Sequence, residues 1–198
     1  MRFGVLGPVT TEDDGGPVDL RGPRHRAVLA RLLVARGRAV PLAHLVDDLW
    51  DDAPTGANGA VQTFIGDLRR ALEPHRPPRT PPQLLVTVAG GYALRTAPGT
   101  VDADRFETAL GSATGLLDDG RPDDARALLD DALARWRGPA YADVAGQAWA
   151  RAEAGRLDEL RLLAVQRRAE AALAAGDAAE AVPEPSALLT DHPLREDT

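Results

Sequence analysis

The sequence lacks cysteine, lysine and any hydrophobic run long enough to span a membrane. Without cysteine there is no disulfide framework, thiolate metal site or thiol nucleophile. Met1–Pro8 has no signal-peptide core, so we expect a cytoplasmic protein with no membrane partner. All 23 basic residues are arginine, which we attribute first to a GC-rich genome, although arginine also suits contacts with phosphate and guanine.

Signatures of enzyme chemistry are missing as well. The histidines are scattered, with no partner at the spacing of a metal site or a catalytic triad. Gly90-Gly91 precedes a strand pattern rather than a helix, so it is not a phosphate-binding loop. There is no Walker sequence, dinucleotide fingerprint or nucleophile elbow. We therefore expect neither an enzyme nor a cofactor.

The segment Asn58–Leu72 predicts a helix with two different faces. Apolar side chains recur at spacings of three and four and predict a buried stripe: Val61, Phe64, Ile65, Leu68 and Leu72. The opposite side carries small, amide, hydroxyl or charged residues: Gly59, Gln62, Thr63, Gly66, Asp67 and Arg70. Such a face can enter a DNA major groove. The alternative is an ordinary amphipathic surface helix.

The neighbouring patterns favour the DNA-binding interpretation. Helices are predicted at Pro23–Arg36 and Pro41–Trp50, and Asn58 is a candidate N-cap for the third helix. A β-hairpin is predicted over Leu84–Leu94, around its glycines. Three helices followed by a hairpin form a winged helix, in which the third helix lies in the major groove and the hairpin is the wing.

Before these helices, Arg2–Val9 and Pro17–Leu20 predict a small antiparallel sheet. The whole order resembles an OmpR-type winged helix. Residues 1 to 96 resemble more closely the DNA-binding domain of the SARP family, the antibiotic regulatory activators of actinobacteria. The matching segments are Arg2–Pro8, Gly22–Ala30, Leu45–Trp50, Leu68–Leu72 and Gly91-Tyr92.

The second half of the sequence has helical patterns throughout, at Val101–Leu117, Asp123–Trp136 and Gly146–Ala175. The same five-residue step joins Gly120 to Ala125 and Gly176 to Ala181, which suggests a TPR-like stack. This half resembles the bacterial transcriptional activation domain of SARP regulators. The matching segments are Asp102–Phe106, Leu133–Ala140, Arg156–Arg161 and His192–Glu196.

We thus predict an α+β winged-helix domain with a small N-terminal sheet over residues 1–96, and an all-α, TPR-like domain over residues 101–198. The family's activation domain is longer, so we expect the second domain to be truncated at Thr198. Pro183 and Pro185 fall where a helix is expected, and proline inside a helix costs about 3 kcal/mol. A broken or shortened helix is therefore expected over residues 181–190. Only residues 96–100 resemble a linker, and we expect the two domains to form one rigid unit, with the helical domain packed on the sheet around Phe3, Val5 and Leu6.

Charge is distributed unevenly between the two parts. The formal net charge of −7 divides into +2 for residues 1–97 and −9 for residues 98–198. The first part can therefore approach phosphates, but we expect few phosphate contacts and weak non-specific binding. Affinity would then come from placing more than one copy on DNA.

The candidate DNA-contacting residues lie on the third helix and around the wing. They are Asn58, Gln62, Thr63, Gly66, Asp67, Arg69, Arg70, Arg76, Arg79 and Arg95. We expect Arg70 to contribute most, Arg69 to bind a phosphate or an acidic neighbour, and the other arginines to meet flanking phosphates. Asp67 has three open interpretations: it reads a cytosine amino group, pairs with Arg70, or weakens binding. Of these we favour the pair with Arg70.

The resemblance implies a function without catalysis. SARP regulators are expected to bind direct repeats in double-stranded DNA cooperatively, to self-associate there, and to contact RNA polymerase at promoters of secondary-metabolite clusters. The alternative hypothesis is a protein-interaction module in which the helical domain is the functional part.

Overall fold

A small antiparallel sheet opens the chain, which the computed structural model describes over residues 1–176. Its strands are β1 (Arg2–Gly4), β2 (Thr10–Asp13) and β3 (Gly16–Pro17), in the order β1-β2-β3. The predicted sheet is confirmed, but the middle strand β2 was missed. The first strand is also shorter than predicted, because the backbone after Gly4 leaves the sheet to bind the second half of the chain.

Three helices follow: α1 (Pro23–Val34), α2 (Leu42–Leu49) and α3 (Ala57–Leu72). The prediction that Asn58 caps α3 was wrong. The N-cap is Gly56, whose φ of 91° lies in the left-handed region that glycine adopts readily. Asn58 is therefore already inside the first turn, with an exposed side chain.

The apolar stripe of α3 is buried as its spacing predicts. Val61, Ile65, Leu68 and Leu72 are each at most 3% exposed and belong to the same core as the buried residues of α1 and α2. Burying each such side chain contributes roughly 1.5–3 kcal/mol. This face fixes α3 on the other two helices and leaves its opposite face outside the core.

The wing hairpin belongs to a three-stranded antiparallel sheet. Its strands are β4 (Val40–Pro41), β5 (Leu85–Val88) and β6 (Gly91–Leu94), in the order β4-β6-β5. The predicted hairpin is confirmed, whereas β4 is too short to show an alternating pattern. A Cβ on Gly91 would lie 2.1 Å from the Val40 carbonyl oxygen, so the pairing of β4 with β6 depends on glycine there. Helices and sheet together form a winged helix.

The second half contains α4 (Asp102–Asp118), α5 (Pro122–Leu133), a short 3-10 helix (Ala142–Val144) and α6 (Ala148–Ala174). Helix α5 packs against both α4 and α6, as in a TPR-like stack. It ends before Trp136, contrary to the prediction, and the indole packs edge-on against Phe106 at 5.4 Å. The second copy of the glycine-alanine step, the proline-broken helix and the His192–Glu196 match lie outside the described residues.

Within the described part of the chain, no helix combines the length and the apolar character needed to cross a membrane.

A buried carboxylate joins the two halves. Asp102, the first residue of α4, is 5% exposed and accepts hydrogen bonds from the backbone N–H groups of Val5 (2.7 Å) and Leu6 (3.3 Å). Next to it, the N–H of Phe3 donates to the carbonyl of Thr100 at 2.8 Å. The residues that leave β1 are therefore bound to the start of α4, and the predicted packing around Phe3, Val5 and Leu6 is confirmed.

The segment after α5 completes this junction. The Arg137 guanidinium lies 3.2 Å from Asp102 and donates to the Pro8 carbonyl and the Thr10 hydroxyl, each at 3.1 Å. The Arg137 N–H donates to the carbonyl of Leu6 at 2.7 Å. Arg137, in the segment that follows α5, thus holds the two halves together.

A second contact between the halves is ionic. Arg36, just after α1, lies 2.5 Å from Glu107 of α4 and 2.8 Å from Glu153 of α6, and Arg156 lies 2.7 Å from both carboxylates. Burial raises the pKa of each glutamate, but the hydrogen bonds from the two arginines outweigh it and leave both pKa values below their ordinary value. Because all four groups are partly exposed, each ion pair of the network contributes little to the free energy of unfolding.

The Asp102 contact predicts a large effect of one substitution. Asp102→Ala leaves two buried N–H groups without acceptors and the Arg137 guanidinium without its carboxylate. We expect it to lower the free energy of unfolding by about 3 kcal/mol. Urea unfolding followed by circular dichroism measures this, with exposed Asp131→Asn on α5 as the control. A loss no larger than that of the control would contradict the assignment.

The ionic network predicts a pH dependence. A carboxyl group whose pKa is lowered by folding stabilises the folded chain at any pH above its pKa in the unfolded chain, which is near 4.5 for glutamate. This stabilisation is lost as the pH falls through the lower pKa that the group has in the folded chain. Asp104, whose pKa burial raises, opposes this in part. The unfolding free energies of wild type and Glu153→Gln should therefore differ by less than about 1 kcal/mol at neutral pH and converge in acid. If the difference in unfolding free energy between wild type and Glu153→Gln stayed the same at every pH, the role of Glu153 would be contradicted. Glu159→Gln is the matched control.

Candidate nucleic-acid interface

The outer face of α3 is free of the protein core. Asn58, Gln62, Thr63 and Arg70 are exposed, as their positions on the helix predict. A Cβ added at Gly59 or Gly66 would meet nothing within 4 Å, so the centre of this face is bare backbone. Together these residues form what we call the outer face of α3 (Asn58, Gly59, Gln62, Thr63, Gly66 and Arg70).

This face offers a small set of hydrogen-bonding groups. Gln62 presents an amide, which can bind an adenine edge, and Arg70 presents a planar guanidinium, which can bind guanine or phosphate. The Thr63 hydroxyl donates to the Gly59 carbonyl at 2.9 Å and keeps its acceptor capacity. These groups donate and accept hydrogen bonds, so the face is suited to recognition.

Asp67 does not belong to this exposed face, and its predicted placement there was wrong. Its side chain is only 9% exposed and points to the start of α1, where Arg21 lies 3.1 Å and His25 3.2 Å from its Oδ2. Its Oδ1 pairs with Arg70, which was the favoured interpretation. The hydrogen bond with His25 holds the pKa of Asp67 below its ordinary value, and the two arginines reinforce this against burial.

An aromatic group supports the same side of α3. The Phe64 ring contacts His25 at 4.8 Å and stacks on Trp50 at 6.4 Å between centroids. The guanidinium of Arg24 lies 4.6 Å from the centroid of Trp50. These contacts tie all three helices together and fix the rotation of α3 about its own axis.

Arg69 connects α3 to the wing. Its Nε donates to the Leu85 carbonyl at 2.8 Å, and its Nη2 donates to the Thr87 hydroxyl at 2.7 Å. The expectation of a phosphate or acidic partner did not anticipate this link, because it depends on how the hairpin folds back. Arg69 thereby sets the position of the hairpin relative to α3.

The loop arginines divide into two kinds. Arg76 is partly buried, donates to the Thr80 carbonyl and lies 3.9 Å from Glu73, so it braces the Pro-rich loop. Arg79 and Arg95 are exposed, and neither side chain has a partner among residues 1–176. Of the three arginines around the wing, Arg79 and Arg95 are therefore available to an external anion.

Arg21 and His25 were not predicted as neighbours of α3. They lie 46 and 42 residues from Asp67 along the chain, a separation for which a single sequence gives no signal. The one available hint was the unusual carboxylate on an otherwise neutral or basic helix face, which requires a cationic partner once buried.

Family models match both halves of the chain. One described as "Transcriptional regulatory protein, C terminal" matches residues 15–94, and one described as "Bacterial transcriptional activator domain" matches residues 101–198. Both are families of transcriptional regulators and not of enzymes.

Similar proteins extend over almost the whole chain. The regulatory protein AfsR of Streptomyces coelicolor is 39% identical, and the match covers 99% of this chain and 19% of AfsR. The transcriptional regulatory protein EmbR of Mycobacterium tuberculosis is 34% identical, with 99% of this chain and 50% of EmbR covered. The chain thus spans from a fifth to half of the length of these two relatives.

A shorter relative and a solved structure complete the comparison. The regulatory protein DnrI of Streptomyces peucetius is 33% identical, and the match covers 99% of this chain and 74% of DnrI. The structure of Mycobacterium tuberculosis EmbR in complex with a low affinity phosphopeptide superposes with a TM-score of 0.81 at 33% identity, covering 90% of this chain and 47% of that one. The resemblance predicted from the sequence is confirmed, and the chain belongs to the SARP family of transcriptional regulators.

Proposed function

We propose that this chain is a sequence-specific, double-stranded-DNA-binding transcriptional activator in the cytoplasm. The observation that carries the proposal is the outer face of α3, which combines bare backbone with an amide, a hydroxyl and a guanidinium beside a hairpin wing. A helix with this surface fits the major groove, where base edges are read by such groups. The proposed contacts are Asn58, Gln62, Thr63, Gly66 and Arg70.

The wing and its loop supply the contacts to the DNA backbone in this proposal. Arg79 and Arg95 are free to bind phosphates on either side of the groove, whereas Arg69 and Arg76 act by holding the wing and loop in place. Asp67 acts in the same way, by holding Arg70. With so few free cations, one copy of the chain binds weakly, because each phosphate contact adds affinity through counterion release.

Weak single-copy binding favours cooperative occupation of direct repeats with self-association on the DNA. The division into a DNA-binding domain (1–96) and an activation domain (101–198) assigns RNA polymerase to the second domain. That domain holds the excess of acidic residues, a net −9 beyond residue 97, and so is not suited to polyanions. The controlled genes are proposed to belong to a secondary-metabolite cluster.

Selection from a random duplex pool, followed by fluorescence anisotropy at two salt concentrations, tests this function. The expected result is an enriched direct repeat that binds more tightly than its scrambled version, with affinity falling as salt rises. Enrichment of no sequence, together with no binding at low salt, would overturn the proposal and leave a protein-interaction module in its place.

Gly66→Ala separates stability from DNA binding. Alanine in place of a helical glycine stabilises by roughly 0.5–1 kcal/mol, and a Cβ at residue 66 meets nothing within the protein. If DNA approaches the bare backbone, the same methyl group should weaken binding to the selected duplex. Gly155→Ala, in an equally open position on α6, should stabilise the chain without changing affinity. Unchanged DNA binding by Gly66→Ala would place the contact elsewhere.

Substitutions of Arg70 and Arg79 should differ in how they lower the affinity for DNA. Arg70→Ala is expected to cost about 1–3 kcal/mol on the selected duplex and much less on a scrambled one. Arg79→Ala should weaken both duplexes alike and reduce the salt slope by about one. Anisotropy titrations distinguish the two, with exposed Arg151→Ala of α6 as the control. Sequence-selective loss with Arg79→Ala would show that it contacts a base.

A further inference from the structure

The Asp67 carboxylate holds two arginines that come from different parts of the chain. Arg70, on α3, pairs with its Oδ1, and Arg21, in the loop before α1, lies 3.1 Å from its Oδ2. The two guanidinium groups are therefore neighbours at the edge of the outer face of α3. Their side chains are 69% and 57% exposed, whereas that of Asp67 is 9% exposed, so the carboxylate is covered and both cations face solvent.

The backbone at Arg21 is in a conformation that favours glycine. Its φ is +67°, in the left-handed region, and its N–H donates to the Asp19 carboxylate at 2.7 Å. A residue with a side chain is strained in this region, and such strain persists where the surrounding structure imposes it, often at functional sites. An ion pair with so exposed an arginine contributes little to stability. The fold therefore depends little on this guanidinium, which is left available to an external anion.

The charges around this point allow an anion to approach. The cations are Arg21, Arg70 and Arg24, the last stacked on Trp50, and the carboxylates are Asp19 and Asp67. Counting only these groups, three guanidinium groups and two carboxylates leave a balance of one positive charge. Arg21 donates one N–H to Asp67, and Arg70 donates one to Asp67 and its Nε–H to the Gly66 carbonyl at 3.3 Å. Each guanidinium keeps further N–H donors, through which arginine can bind phosphate.

From this geometry we propose that Asp67 is a positioning residue that presents Arg21 and Arg70 as one DNA-contacting pair, in which Arg21 binds a backbone phosphate next to the groove that α3 enters. The assignment rests on the proposed function. The proposal adds to the interface a contact from the loop before α1. It also explains why α3 carries the Asp67 carboxylate. Arg70 reads a base from a fixed position because Asp67 limits the rotamers of its side chain.

Arg21→Gly tests the phosphate contact. Glycine removes the guanidinium and relieves the left-handed backbone, so we expect an unfolding midpoint equal to or above that of wild type. DNA binding should be ~3- to 10-fold weaker on selected and scrambled duplexes alike, with a salt slope shallower by about one. Lower stability with unchanged DNA binding would overturn the contact and leave Arg21 a purely structural role, and Arg151→Ala of α6 serves as the control.

Asp67→Asn tests the positioning role. It adds one net positive charge, so binding to the scrambled duplex should tighten, while binding to the selected duplex weakens because Arg70 is no longer held. The ratio of the two affinities should therefore fall at least ~5-fold, whereas Asp131→Asn, the same charge change on α5, leaves it unchanged. An unchanged ratio would overturn the positioning role.

These outcomes are separable from failure of the proposed function. Suppose that wild type binds the selected duplex and Arg70→Ala weakens this binding, but Arg21→Gly and Asp67→Asn behave like their controls. Then the proposed pair of Arg21 and Arg70 is wrong and the DNA-binding function stands. If wild type binds no duplex at low salt, both are overturned. Should Asp67→Asn fail to fold, Arg21→Gly still decides on the phosphate contact.

Discussion

The hydrogen bonds of one buried carboxylate, Asp102, determine how the two halves of this chain are joined. The carboxylate binds the backbone that leaves β1 and the guanidinium of Arg137 at the same time. Three segments far apart in sequence therefore meet at one point. The junction involves the N-terminal sheet, α1 and the end of α2, as in the contacts of Arg36 with Glu153 and of the Trp149 indole with the Asp48 carbonyl. Among the described residues, no hydrogen bond or ion pair joins the outer face of α3 to the second half. Binding of a second macromolecule to α3 and joining of the halves do not compete.

Local patterns in the sequence were enough to predict most of the fold. The apolar stripe of α3 follows from side-chain spacing alone, and the hairpin follows from a β-rich run interrupted by glycines. These features depend on residues close together in the chain, where periodicity and turn chemistry act. Two-residue strands such as Val40–Pro41 carry no such pattern, and their pairing depends on a partner more than forty residues away.

The candidate site was predictable only in part, for the same physical reason. Helical geometry placed Gln62 and Arg70 on the outer face correctly. It could not show that Asp67 turns toward His25, or that Arg69 binds the wing, since both contacts depend on tertiary packing. Whether a side chain at the boundary between the buried and exposed faces of a helix is buried depends on its neighbours in space. A single sequence does not reveal those neighbours.

Many arginines of the winged helix bind other parts of the protein, which leaves few of its positive charges available to an external partner. Several serve the fold: Arg36 joins α1 to the second half, Arg69 joins α3 to the wing, and Arg76 braces a loop. The arginines proposed to contact DNA are Arg70 near the C-terminal end of α3, Arg79 and Arg95 around the wing, and Arg21 in the loop before α1. In the proposed function, a regulator with this distribution relies on the placement of a few contacts, and on more than one bound copy, more than on overall charge.

Hydrogen exchange of the whole chain, with and without its selected duplex, tests whether the outer face of α3 is the DNA-binding surface. We expect the duplex to slow exchange in α3, in the β5–β6 hairpin and in the loop before α1, and to leave exchange in α4 to α6 unchanged. Slower exchange confined to α4, α5 or α6, with α3 unaffected, would contradict this expectation and identify the helical half as the binding surface.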